Sequence, residues 1–187
     1  MASWVPTAAR GMKPGLAGYT QPVRIMGIDP GFHRCGYAVV EAATDAESLV
    51  ASGVLLTTRG KALGERLCEL AEGFEALLRD WAPDAVAIEE IYFAKNVKTA
   101  IDVAQARGVL LEHAAAAGIA VAEYTPTTVK SQLTGNGRAD KEQVAYMVRR
   151  ILRLDDDQPQ SRLDDELDAI AVSLCHGQRM AIPEVLR

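Results

Sequence analysis

Four acidic residues stand where carboxylates are costly. Asp29 ends the apolar run VRIMGID, Glu89 ends AVAIE, and Asp165 and Asp168 open the apolar stretch DDELDAIAVSL. A carboxylate at the end of a buried strand needs a partner. Four of them from three separate elements repel one another unless a divalent cation gathers them. The pattern points to metal-dependent phosphoryl transfer. Neighbouring acids leave two choices open. Side chains alternate along a strand, so Ala85, Ala87 and Glu89 share one face while Val86, Ile88 and Glu90 share the other. On the helix, both Asp165 with Asp168 and Asp164 with Asp168 fall on a common face. Each acid also has an ordinary use: first-turn acids favour the helix macrodipole, and an Asp before Pro-Gly suits an Asx turn.

These acids need elements to position them. Residues 23–29, 35–41 and 49–57 read as strands, the first two joined by the tight PGFHR turn. Leu63, Leu67, Leu70, Phe74, Leu77 and Trp81 recur every three or four positions, predicting an amphipathic helix over 61–81 that Pro83 closes. A strand over 84–89, a small-residue helix over 100–117 and a strand over 119–124 follow. Thr125 with Pro126 predicts a capped short helix, which Gly135 and Gly137 break. Asp140 with Gln143 predicts a capping box opening the next, with Val144, Val148 and Ile151 as its apolar stripe. The last helix is expected over 164–178, with Leu167, Ile170 and Leu174 inward. Strands alternating with helices predict an α/β sheet.

With 187 residues, 49% of them hydrophobic, the chain can bury one full core. Residues 1–22, with three prolines, three glycines and no apolar run, are expected to form a disordered arm. The folded domain is expected over 23–180 and a short tail over 181–187. Cys35, Cys68 and Cys175 are scattered and odd in number, which points to a reducing cytoplasm and away from structural zinc. No stretch has the length of apolar residues a membrane helix requires, so a soluble protein is expected. The net charge is −5 and unevenly spread. Between Lys95 and Arg153 there are nine Lys and Arg against five Asp and Glu, leaving eleven against twenty elsewhere. Such a basic stretch can dock a phosphate backbone if it forms one face; ordinary solvated helix faces are the alternative.

Taken together, these motifs resemble the RuvC family of Holliday junction resolvases. The resemblance runs from about Arg24 to His176 through MGIDPGFHRCGYAVVE, AIEEIYFAKN, AQARGV, TPTTVK, TGNGRADKEQV and DELDAIAVSLCH. GIDPG alone is also found in actin-like and sugar-kinase ATPases, which need two related halves and far more length. The resemblance implies a ribonuclease-H-like fold, a five-stranded mixed β-sheet flanked by α-helices on both faces. It implies a homodimer that acts on four-way junction DNA in recombination and repair, and contact with the RuvA and RuvB branch-migration complex. It also implies two Mg²⁺ or Mn²⁺ ions per active site. The family's catalytic, metal-binding acids fall on Asp29, Glu89, Asp165 and Asp168, which selects Glu89 over Glu90 and Asp165 over Asp164. Competing readings are a ribonuclease-H-like nuclease acting on RNA or other branched DNA, and a junction-binding protein without catalysis.

Residues for DNA are expected next to the acids. Tyr92, Phe93 and Lys95 follow Glu89 directly, and aromatics beside a cation suit unstacked bases and phosphates; core packing is the other use of one of the two rings. By resemblance, Tyr92 takes the place where several family members carry a phenylalanine that wedges at the branch point. Tyrosine retains the stacking surface and adds a hydroxyl. Lys130 and Lys141 match basic positions the family uses near the scissile phosphate and backbone, and Arg138, Lys98 and Arg107 are further candidates. Ala104, Gly108, Leu111 and Ala115 line one side of the helix over 100–117, either as a dimer interface or against the chain's own sheet.

Overall fold

The computed structural model describes residues 22–43, 46–91, 97–154 and 164–181, with backbone alone for 97–99 and 181. The expected N-terminal arm and nearly all of the expected tail lie outside the described residues. The element order is β1 (Val23–Asp29), β2 (Arg34–Ala42), β3 (Glu47–Leu56), α1 (Leu63–Trp81), β4 (Ala85–Glu89), α2 (Val97–Ala116), β5 (Ala120–Tyr124), α3 (Pro126–Thr134), α4 (Lys141–Leu152) and α5 (Asp164–Ala181).

The five strands form one sheet in the order β3-β2-β1-β4-β5. β1 and β2 are antiparallel across the PGFHR turn, pairing Asp29 with Gly36, and β3 extends this meander. β4 and β5 are parallel to β1, so their crossovers pass through helices. Asp29 and Glu89 thus end adjacent parallel strands at the same edge of the sheet. The expected mixed sheet is what forms, with boundaries moved by a few residues at most.

Both faces are covered. Ile25, Ala38, Val40 and Ala87 pack with α3, α4 and α5, through Val129, Val144, Val148, Ile170 and Leu174. Met26, Ile28, Val39, Val86 and Ile88 pack with α1 and α2, through Leu70, Phe74, Ala106 and Leu110. Ala87 lies on the α5 side, and so, two residues on, does Glu89. Glu90 follows it with the opposite parity, so of the two it is Glu89 that shares the α5 face.

Local signals place the helix ends as expected. The Thr125 hydroxyl accepts from the Thr128 N–H at 3.1 Å, with Pro126 as the first helical residue of α3. Gly135 ends α3 at φ +74°, where a side chain would be strained. Asp140 accepts from the Gln143 N–H at 2.8 Å, and the Gln143 side chain accepts in turn from the Asp140 N–H at 3.1 Å.

α5 lies unusually close to the sheet because two positions beneath it lack side chains. A Cβ on Gly27 would sit 2.1 Å from the Ala169 carbonyl oxygen, and one on Gly36 would sit 2.0 Å from the Asp165 carbonyl oxygen. Both obstacles are helix backbone, which cannot rotate away. Gly27→Ala is therefore expected to destabilise the protein by about 1–3 kcal/mol, whereas Gly64→Ala, whose Cβ would meet nothing within 4 Å, leaves stability level or slightly raised. Paired thermal melts of the two variants check this difference.

Candidate active site

Asp29 leaves the end of β1 on the face that α5 covers, and Glu89 leaves the end of β4 on the same face. The first turn of α5 crosses above β1 and β2 and contributes Asp165 and Asp168. The side chain of Asp164 is 82% exposed, against 28% for Asp165 and 31% for Asp168. The helix therefore turns Asp165 and Asp168 inward and leaves Asp164 at the rim.

The strand acids are electrostatically uncomfortable. Burial pushes the Asp29 carboxyl up from 3.8 to about 7, and the Asp168 and Asp165 charges push the same way, against Lys141. Burial pushes Glu89 up from 4.5 to about 8, helped by the Asp29 and Asp168 charges and opposed by Lys130 and Lys141. Asp29 is raised beside both helix acids and Glu89 beside Asp29 and Asp168, so full ionisation of the two strand acids calls for a cation.

Two side-chain cations already stand at the helix acids. Lys141 Nζ, at the start of α4, lies 3.1 Å from Asp168 Oδ2 and 3.6 Å from Asp164 Oδ2. Arg34 Nε, at the start of β2, donates to Asp165 Oδ2 at 2.5 Å. With these pairs made, no three His, Cys, Asp or Glu side chains among the described residues converge on one ion. The donor chemistry nevertheless fits a hard divalent ion: every candidate ligand is a carboxylate oxygen, two are half-buried with raised pKa values, and no sulfur or imidazole joins them.

The other expected site residues divide. Lys141 pairs with Asp168, and Lys130 lies close enough for its charge to oppose the rise at Glu89. Arg138 is exposed in the turn between α3 and α4, where its N–H donates to Asn136 Oδ1 at 3.0 Å. Arg107 is held in an ion pair with Glu123 of β5. Tyr92, Phe93 and Lys95 lie outside the described residues, as does the Lys98 side chain. Arg34 was not legible as a site residue. The available signal was its spacing of two from Gly36 on a strand, which puts both on the α5 face.

A parallel-antiparallel sheet with acids at the ends of its two central strands, crossed by a helix carrying two more, defines a nuclease of the ribonuclease-H-like class. Comparison narrows the class. The family described as "Crossover junction endodeoxyribonuclease RuvC" matches residues 25–176, and the chain belongs to this RuvC family. A curated RuvC from a Roseiflexus species is 48% identical over 153 residues, 82% of this chain and 89% of that protein. One from Syntrophomonas wolfei is 44% identical over 154 residues, 82% and 88% of the respective lengths. Among solved structures, Thermus thermophilus RuvC in complex with Holliday junction substrate superposes with a TM-score of 0.78 at 34% identity, covering 85% of this chain and 95% of that one.

Because the folded pKa values of Asp29 and Glu89 lie above their ordinary ones, the folded protein keeps protons that the unfolded chain has already released. Stability of the metal-free protein is therefore expected to fall as pH rises from about 4 to about 8 and to level off above. Melting curves in chelator across this range check the slope, and Asp29→Asn should flatten it. Added Mg²⁺ should raise the melting temperature at pH 8 and release protons on binding at pH 7, read by titration calorimetry in buffers of different ionisation enthalpy.

Proposed function

We propose that the chain resolves four-way DNA junctions, with Asp29, Glu89, Asp165 and Asp168 as the catalytic, metal-bearing set. The observation that carries this reading is the shared electrostatic burden of Asp29 and Glu89, which stand half-buried on one face beside α5 and are raised to about 7 and about 8. Two divalent ions, Mg²⁺ or Mn²⁺, supply activation of a water and stabilisation of the leaving 3′ oxygen when bound. Asp29, Glu89 and Asp168 would hold such ions, and Asp165 would orient or help deprotonate the attacking water.

Lys130 and Lys141 border the acids, and a phosphodiester approaching the group meets their charges first. Lys141 is the first residue of α4, where backbone N–H groups also favour phosphate. Arg138, exposed in the neighbouring turn, extends this basic border along a strand. Tyr92, Phe93 and Lys95, which follow Glu89 in sequence, are proposed to meet bases and backbone at the branch.

A junction with two-fold symmetry calls for two active sites related by a two-fold axis. α2 offers a surface for such a pair. It buries Ala106, Leu110 and Ala114 against its own sheet and leaves Ile101, Ala104, Gly108 and Ala115 exposed, with Leu111 half-buried. That stripe repeats at the three-and-four spacing of a helix seam. Contact with RuvA and RuvB is proposed from family membership alone.

Cleavage of a synthetic four-way junction, with nicks mapped on all four strands in Mg²⁺ and in Mn²⁺, tests the reading. Paired nicks at symmetry-related positions are expected; cuts confined to linear duplex or RNA hybrid would replace it with a general nuclease, and binding without cleavage would replace it with a scaffold. Asp29→Asn is expected to lose cleavage by about 10³-fold or more while still binding the junction. Gly108→Arg is expected to turn a dimer into a monomer by light scattering, with single unpaired nicks.

A further inference from the structure

The first three residues of β2 form a small device under the acidic helix. Gly36 lets the backbone of Asp165 settle onto the sheet. Arg34, two residues before it and on the same face, reaches up so that its Nε meets Asp165 Oδ2 at 2.5 Å. Both partners are half-buried, with side-chain exposures of 39% and 28%, so water screens this pair less than an open surface pair.

The turn that delivers Arg34 is itself fastened. The Thr57 hydroxyl donates to the Phe32 carbonyl at 2.7 Å, His33 Nδ1 lies 2.9 Å from the Thr57 carbonyl oxygen, and the Thr57 N–H donates to the His33 carbonyl at 3.1 Å. The Arg66 guanidinium stacks 3.8 Å from the Phe32 ring centroid and donates to the Thr57 hydroxyl at 2.7 Å. A guanidinium on a fixed turn, meeting a carboxylate on a fixed helix, holds that carboxylate in one orientation.

We propose that Arg34 is a positioning residue for the cleavage reaction: it fixes Asp165 through one oxygen, leaves the other for the reacting centre, and subtracts one negative charge from the acidic set. This rests on the reading of Asp165 as a member of that set. Two effects of opposite sign follow. Without the guanidinium, Asp165 turns freely and the chemical step slows. The same loss removes a cation that repels an incoming divalent ion, so the ion binds more tightly. A merely structural ion pair, once broken, would change neither or weaken both.

The test measures Mg²⁺ binding to the full chain by calorimetry without DNA, alongside kcat and KM for a four-way junction. Arg34→Gln is expected to bind Mg²⁺ about threefold or more tightly and to lower kcat about 10-fold or more, with KM little changed. Arg34→Lys restores charge without the planar fork, so it should return ion affinity to the wild-type value and recover kcat only in part. In an Asp165→Asn background, Arg34→Gln should lower kcat far less than it does alone. Wild-type ion affinity and kcat in Arg34→Gln would overturn the positioning role while leaving the assigned acids intact, as would parallel losses of both that Arg34→Lys fully repairs. A wild-type protein that neither binds Mg²⁺ nor cuts the junction would overturn both readings together.

Discussion

The site depends on how closely one helix lies on the sheet. α5 rests on β1 and β2 at Gly27 and Gly36, where a single added carbon would collide with helix backbone. Ordinary helix-on-sheet packing is held apart by side chains on both partners. Here two glycines remove one set, and the first turn of α5 comes down to the level of the strand ends. Asp29 then feels the charges of Asp165 and Asp168, and Glu89 feels that of Asp168. A wider gap would leave two strand acids and two helix acids as separate, better hydrated pairs. Burial beneath the helix, with the charges it brings, raises the pKa values of Asp29 and Glu89.

Such a group threatens the fold it belongs to, and the molecule contains the threat with cations drawn from both sides. Arg34 arrives from β2, Lys141 from the start of α4, and Lys130 from α3. Their contributions differ. Arg34 meets its acid in a tight, half-buried pair on a pinned turn, whereas Lys141 is 61% exposed and spans Asp164 and Asp168 loosely. A flexible lysine at that distance can exchange its carboxylate for a phosphate at little cost, while a stacked and fastened neighbourhood holds the arginine where it is. The two cations thus suit different tasks, one toward the substrate and one toward the carboxylates.

Most of the fold was legible because local signals and tertiary packing agree. The leucine period of α1, the Thr125-Pro126 and Asp140-Gln143 caps, and the apolar strands all point the same way, and the structure follows them. Spacing alone could not separate Glu89 from Glu90, because parity gives two faces and says nothing of which one a helix will cover. Tertiary packing sets that face, by placing Ala87 beneath the α5 layer. Asp164 and Asp165 were separable only by the roll of α5, which the glycine contacts set. Arg34 escaped notice for the same reason: its partner is 131 residues away, and nothing within its own turn announces it.

The two faces of the sheet carry different burdens, and this explains the composition of their helices. On the α5 side, Gly27, Gly36, Ala169 and Ser173 keep backbone close to backbone, which suits a site that needs geometric accuracy. On the other side, Phe74, Leu70, Leu77 and Leu110 fill the space between β-sheet and helices with bulky side chains, which suits stability. α2 belongs to that stabilising layer through Ala106, Leu110 and Ala114, yet its small exposed stripe faces away from the chemistry. A second copy docking there would press on the layer built to bear load and leave the carboxylates undisturbed.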